Sequence, residues 1–303
     1  MFRCLETYTK LFGLWVVLFA LLAYLFPQYF IPLKPGMDWF FALTMFGMGI
    51  VLEPEDFKKT LKQPGILFLG TLAQYSIMPL LGFSLAKFFH LPPEIALGVI
   101  LTGSAPGAMS SNVISYLAHA DVAYSVCLTT FSTLLSPLAT PGLTYLLARF
   151  ILRIDFGKMF LNILLMVVIP LFIGFVIKNL LKERIKPFIK IFPAFSVTFI
   201  VFICSLVVAL NQRYLMLISV LILYIVLLHN LLGYLLGYGV GKIFKLNLPR
   251  RRTLSIEIGM QNAGLGVVLA LRHFGERSAL PAAVFVILSV FTSSLLVSYW
   301  QRK

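Results

Sequence analysis

Acidic side chains are scarce in this sequence: 11 aspartates and glutamates among 303 residues, with only 12% charged residues of either sign. A soluble domain of that length needs far more polar surface to cover its core, so a soluble globular fold is excluded. Cysteine is nearly absent as well. Cys4, Cys127 and Cys204 stand far apart with no CxxC pair, so they say nothing about disulfides or metal. Neither HExxH nor GxSxG occurs, so the common signatures of hydrolytic chemistry are missing. No low-complexity linker breaks the chain. No basic run is long enough to form a nucleic-acid tail, although the formal net charge is +14.

Apolar residues fill the space those absences leave, at 60% of the chain with a mean hydropathy of +0.95. The apolar runs are too long for buried core helices, because a bilayer core of about 30 Å asks for roughly 20 apolar residues per span. They are also too continuous for a transmembrane barrel, whose strands alternate polar and apolar. An all-α integral membrane protein is therefore predicted. Ten spans are expected near Leu11–Ile31, Trp39–Leu52, Gly65–Phe89, Pro93–Leu117, Val122–Phe150, Phe160–Ile177, Phe188–Leu210, Met216–Gly241, Thr253–Leu271 and Ala279–Tyr299. They leave short connections and no room for a soluble domain. The first span, with Arg3 and Lys10 ahead of it, imitates a signal peptide but has no small-x-small cleavage site, and it is read as retained.

Basic flanks tend to stay cytoplasmic. With the N-terminus inside, Arg3, Lys10, Lys58, Lys59, Lys62, the five basic residues from Lys178 to Lys190, Lys242, Lys245, Arg250 to Arg252, Arg302 and Lys303 all fall inside. Both termini are expected in the cytoplasm and the protein in the cell (inner) membrane. The net positive charge then describes an ordinary inner face.

An internal repeat sets the topology. "LLGFSLAKFFHL" (Leu80–Leu91) and "LLGYGVGKIFKL" (Leu235–Leu246) match in register at an offset of 155 residues. Five spans per copy is an odd number, so the second copy, 151–303, enters the membrane inverted relative to the first, 1–150. Inverted repeats with paired broken helices build secondary transporters, whose sites lie near the midplane where the breaks meet.

Each copy carries such a break: "TGSAPGAMSSN" (Thr102–Asn112) and "EIGMQNAGLG" (Glu257–Gly266). Pro106 removes an amide donor, and Gly103, Gly107, Gly259, Gly264 and Gly266 free the backbone to unwind. Unwound peptide groups cannot face lipid, so both breaks must be buried in protein or line a wet cavity. Glu257 is the acidic residue set deep in a span; the others lie in connections or at span ends. An ionisable group there costs about 2.5–3.5 kcal/mol on insertion scales, and no Lys or Arg lies deep enough to pair with it. A protonated acid or a bound cation remains. Hard cations need oxygens, and Gln261, Ser111 and Asn112 supply them. Ser125, Thr129, Ser132 and Ser136 form a polar stripe on the fifth span, of which Ser132 and Ser136 are read as helix glue. Gln74 and His229 sit at equivalent repeat positions and suggest paired supports beside the breaks; His229 with Asn230 is read as a buried hydrogen-bonding pair.

"GSAPGAMSSNVISYLAHAD" with "EIGMQNAGLG", and "MFGMGIVL" with "EPEDFKK", closely resemble the bile acid:sodium symporter family over essentially the whole chain. The resemblance implies ten helices in two inverted five-helix repeats, with the fourth and ninth unwound and crossing. It also implies a panel domain (spans one, two, six and seven) and a core domain (three to five and eight to ten). It implies two transported Na⁺ ions: one held by Ser111, Asn112, Ser125, Thr129 and Glu257, the other by Gln74, Glu257, Gln261 and the carbonyls of Ile258 and Met260. Substrate contacts are implied at Asn262, Ser110, Met109 and Thr292.

The expected activity is sodium-coupled symport of an organic anion, a bile salt or small carboxylate. Two Na⁺ against one Glu257 carboxylate leave about +1 near the crossing. The alternative is a proton-coupled carrier or exporter of the same fold with Glu257 as the proton site. An intramembrane enzyme is disfavoured because a single acid stands where acid–base work wants a pair, and a passive channel because it needs no paired inverted breaks. Lipid and the transported anion are the expected partners; nucleic acid is not.

Overall fold

The computed structural model describes residues 8, 12–52, 63–185 and 191–301. The predicted inside charges Arg3, Lys10, Lys58, Lys59, Lys62, Lys186, Lys190, Arg302 and Lys303, the "EPEDFKK" connection and Cys4 lie outside the described residues. Among those residues the chain is helical throughout: α1 (Phe12–Leu25), α2 (Met37–Val51), α3 (Pro64–Phe88), α4 (Pro93–Ser104), α5 (Ser111–Leu117), α6 (Val122–Ala148), α7 (Phe156–Leu181), α8 (Phe192–Leu210), α9 (Gln212–Ile243), α10 (Leu248–Gly259), α11 (Ala263–His273) and α12 (Glu276–Gln301).

Among the described residues five stretches are long and apolar enough to cross a bilayer: α3, α6, α7, residues Val220–Ile243 of α9, and α12. A sixth arises if the pair Leu14–Leu25 and Pro27–Val51, bent by 104°, counts as one span. Three apolar helices are shorter, Pro93–Ser104, Ala194–Leu210 and Ala263–His273, and the first and last of these adjoin the breaks. Pro27 ends α1 six residues before the expected Ile31, and two 3₁₀ turns (Pro27–Tyr29 and Ile31–Gly36) lead into α2. At the other expected connection a single turn residue, Asn211, suffices, so α9 begins at Gln212 and not at Met216.

Helix starts follow capping chemistry. Pro64 and Pro93 occupy first turns, where a missing amide costs nothing. Asp121 caps α6 by accepting from the Tyr124 amide at 3.1 Å, and Asn247 caps α10 by accepting from Arg250 at 3.1 Å. In α7 a π turn at Leu164–Val168 precedes Pro170, whose ring cannot continue the regular ladder.

The chain forms two compact units, each assembled from both halves of the sequence. The first comprises 1–52 and 160–219, the second 53–159 and 220–303. Within the first, α2 and α7 cross where each offers a glycine to the other's backbone. A Cβ at Gly49 would stand 2.0 Å from the Leu171 carbonyl oxygen, and one at Gly174 would stand 2.1 Å from that of Phe46.

The second unit repeats itself in detail. After α3, His90 takes a positive φ (49°) while Leu91 N donates to Ala86 O at 3.0 Å. After α9, at positions 155 further on, Lys245 takes φ 54° and Leu246 N donates to Gly241 O at 2.9 Å. Helix packing recurs at the same offset. A Cβ at Gly82 would meet Val99 O at 3.0 Å and Ile100 Cα at 3.3 Å, and one at Gly237 would meet Leu254 O at 2.6 Å and Ser255 Cα at 3.0 Å.

Candidate functional site

Both breaks lie in this second unit, and they are shorter than the sequence suggested. The first runs between Ser104 and Ser111, the second between Gly259 and Ala263. Of the glycines credited with unwinding, Gly103, Gly259, Gly264 and Gly266 are helical, and only Gly107 lies in a break. Two of the helical ones permit close packing instead: a Cβ at Gly103 would stand 2.4 Å from Met78 O, and one at Gly259 would enter the Tyr234 ring at 2.2 Å. The breaks cross as one antiparallel pair, Gly107 opposite Gln261. Ala108 N donates to Met260 O at 3.0 Å and Asn262 N to Pro106 O at 2.8 Å, so each break satisfies peptide groups that the other leaves unpaired.

Glu257 lies in the last turn of α10, 3% exposed. Helix geometry places Ser125 and Thr129 one turn apart on a single face of α6, and the first turn of α5 brings Ser111 and Asn112. These groups converge. Glu257 Oε1 accepts from Ser111 Oγ at 2.5 Å and from Ser125 Oγ, and Oε2 accepts from Thr129 Oγ1 at 2.8 Å. Asn112 Oδ1 lies 2.9 Å from Ser125 Oγ and 3.4 Å from Thr129 Oγ1. Among the described residues the carboxylate has hydroxyl partners and no ion pair. A buried charge met only by neutral hydroxyls remains expensive by several kcal/mol. The set itself, a carboxylate, three hydroxyls and an amide oxygen, is the ligand chemistry of a hard monovalent or divalent cation.

Gln74 on α3 donates from Nε2 to Gln261 Oε1 at 2.8 Å, and Gln261 Nε2 donates to Ile258 O at 2.9 Å. Among the described residues Gln74 Oε1 is buried without a partner, an oxygen acceptor beside the second break. Gln261 does not bond Glu257, because the helix ends at Gly259 and the one-turn spacing no longer applies. Near the crossing, Met109 is half-buried and Ser110 exposed. Asn262 caps α11 by accepting from Leu265 N at 3.1 Å. Thr292 is buried on α12 with its hydroxyl turned to Asn230 Oδ1 at 2.6 Å.

The two repeat-related residues Gln74 and His229 diverge. Gln74 reaches a break, whereas His229 Nε2 lies 2.9 Å from the Met78 carbonyl of α3. His229 and Asn230 do not pair with each other; Asn230 Nδ2 donates to Gly259 O at 2.8 Å. Three contributors escaped the sequence reading. Ser115 bonds Ser125 at 3.1 Å, and its spacing of four from Ser111 was the available signal. Ser132, assigned to helix glue, also accepts from the Gly107 amide at 3.3 Å, while Tyr75 OH donates to Ser132 O at 2.6 Å. Ser136 Oγ donates to Thr133 O of its own helix at 2.7 Å.

The sequence profile described as "Sodium Bile acid symporter family" matches residues 39–218, more than half of the chain. The chain belongs to the sodium bile acid symporter family. It is 42% identical over 292 residues, 96% of this chain and 91% of the other, to the "Uncharacterized sodium-dependent transporter YocS" of Bacillus subtilis (strain 168). To the "Probable sodium/metabolite cotransporter BASS1, chloroplastic" of Arabidopsis thaliana it is 34% identical over 302 residues, 98% of this chain and 75% of that one. A shorter stretch of 95 residues, 31% of this chain and 27% of the relative, is 42% identical to the "Ileal sodium/bile acid cotransporter" of Oryctolagus cuniculus. Membership makes this chain a multi-pass membrane transporter of a sodium-dependent family and not an enzyme.

Proposed function

We propose that this transporter is a symporter that couples the entry of two Na⁺ ions to that of an organic anion by alternating access. One observation carries the reading: a buried carboxylate, Glu257, gathers Ser111, Ser125 and Thr129 from both the other broken helix and α6, with no ion pair among the described residues. The first Na⁺ takes Ser111, Asn112, Ser125, Thr129 and Glu257. The second takes Gln74, whose Oε1 is unpartnered among the described residues, with Glu257, Gln261 and the carbonyls of Ile258 and Met260. The anion meets Met109, Ser110 and the amide of Asn262 at the crossing. The +1 left by two cations and one carboxylate suits a carboxylate or sulfonate.

The ten-helix inverted repeat belongs to the same reading. It is supported by the helix ends and glycine contacts that recur 155 residues apart. It is supported too by the grouping of 1–52 with 160–219, which corresponds to a panel, apart from 53–159 with 220–303, which corresponds to a core. Coupling arises because sodium fixes both breaks at once, so the anion meets a formed surface in the loaded state. The cell membrane, with both termini cytoplasmic, is the proposed location.

The test is thermal unfolding of the purified protein in Na⁺ against K⁺ at equal ionic strength. Sodium at 100 times its dissociation constant adds about 2.7 kcal/mol, a clear upward shift, which Glu257→Ala abolishes. Equal midpoints in the two salts, with a midpoint that follows pH, would instead make Glu257 a proton carrier.

A further inference from the structure

Behind the second break, α9 and α12 hold a hydrogen-bond chain that the ion ligands do not use. Asn230 is 0% exposed and Thr292 7%. Asn230 Nδ2 donates to Gly259 O at 2.8 Å, Thr292 Oγ1 lies 2.6 Å from Asn230 Oδ1, and Tyr234 OH lies 3.4 Å from Thr292 Oγ1. Proton counting orders this chain. The Gly259 carbonyl can only accept, so Asn230 must turn its NH₂ to it and its oxygen to Thr292. Thr292 has a single proton and three competing acceptors: Asn230 Oδ1, the Leu288 carbonyl at 2.8 Å and the Ser289 carbonyl at 3.3 Å. Giving it to either carbonyl would leave two oxygens 2.6 Å apart with no hydrogen between them, so it goes to Asn230.

The break explains why Gly259 needs this partner. In an unbroken helix its carbonyl would accept from the amide of residue 263, but that amide bonds Gln261 O at 2.7 Å instead. The other end of the same peptide unit is also held, since Met260 N donates to Ile256 O at 2.9 Å. The peptide plane between Gly259 and Met260 is thus fixed at both ends, and it sits between the planes that carry the Ile258 and Met260 carbonyls. Ser255 Oγ, donating to Tyr234 O at 2.8 Å, ties α10 to α9 one turn earlier.

We infer that Asn230, oriented by Thr292, is a positioning residue for the second sodium: by capping the orphaned Gly259 carbonyl it sets the direction of the carbonyls on either side. This rests on the sodium reading above, and it gives Thr292 a role through Asn230 and not through direct contact with the anion.

The experiment titrates Na⁺ at constant ionic strength, with K⁺ as replacement, and follows the thermal midpoint of the full-length protein in detergent. Asn230→Ala and Thr292→Val each raise the sodium concentration at half-maximal stabilisation by about tenfold, the scale on which outer-shell partners act on bound metals. Thr292→Ser, which keeps the hydroxyl, restores the wild-type value. Thr292→Val leaves the Asn230 side chain in place, and it carries the test if Asn230→Ala fails to fold. A purely structural role would lower the midpoint equally in both salts and leave the sodium dependence where it was; that outcome overturns the inference. A wild-type protein indifferent to sodium overturns the sodium reading itself, and the inference with it.

Discussion

Adding one carbon to Gly107 tests the site from its least tolerant side. This glycine has no positive φ, so alanine suits its backbone; what alanine meets is the carboxylate. A Cβ there would stand 2.8 Å from Glu257 Oε2 and 3.8 Å from Ser132 Oγ, whereas a packed carbon sits at about 3.5–4.0 Å from its neighbours. Neither partner can yield freely: Gly107 is held in the crossing, and Oε2 is held by Thr129 at 2.8 Å. Overpacking of this kind costs about 1–3 kcal/mol. If the carboxylate moves to relieve it, sodium affinity falls by roughly tenfold or more, at 1.4 kcal/mol per decade. Gly107→Ala should therefore raise the half-saturating sodium concentration in a thermal-shift titration, with a smaller loss of the midpoint in K⁺. Glu257→Asp in the same background draws the carboxylate back by one methylene, and the combined loss should be less than the sum of the two single losses. Gly239→Ala is the control, because nothing lies within 4 Å of its Cβ and alanine favours the helix. A Gly107→Ala protein with the wild-type sodium midpoint would show that Glu257 does not shape the ion site from this position.

Gly174→Ala places a Cβ 2.1 Å from the Phe46 carbonyl. A backbone oxygen cannot swing aside, so the thermal midpoint should drop in both salts, by an amount on the order of 3 kcal/mol, with the sodium midpoint unchanged; an undiminished thermal midpoint would refute the close crossing of α2 and α7. Asp155 is held below its ordinary carboxylate range, first by the Lys158 amide at 3.0 Å and then by the Lys158 side chain. A depressed group stabilises the fold above its unfolded value and loses that contribution as pH falls through the folded one. Asp155→Asn keeps an acceptor for the amide and should flatten the acid limb of the unfolding curve below about pH 4, whereas parallel limbs for the two proteins would count against this cap.

Much of the site could be read from the sequence because its chemistry is out of place in lipid. A carboxylate amid apolar residues is conspicuous, and Ser125 and Thr129 share a face by helical spacing alone. Where the sequence misled, tertiary packing had outweighed local propensity. Gly103, Gly259, Gly264 and Gly266 looked like flexible breakpoints, yet they are helical: a neighbouring carbonyl or ring occupies the space beside Gly103 and Gly259. Glu257 and Gln261 are four residues apart, one turn of a continuous helix, but the helix stops between them and sends Gln261 to Gln74. Asn230 could not be singled out from His229 beside it, since which of two adjacent buried side chains faces a break depends on how α9 is rotated about its axis.

The crossing also has a consequence for how the chain is made. The amide of Ala108 and the carbonyl of Pro106 find their partners at Met260 and Asn262, so the first break waits for residues synthesised some 154 positions later. At ribosomal speeds of about 5–20 residues per second, that interval lasts roughly 8–30 s. Throughout it, a stretch of unpaired backbone must be kept from lipid by water, by its own α6 hydroxyls or by the insertion machinery. The first break therefore enters the membrane as an unfinished template, and it closes only when the second break arrives.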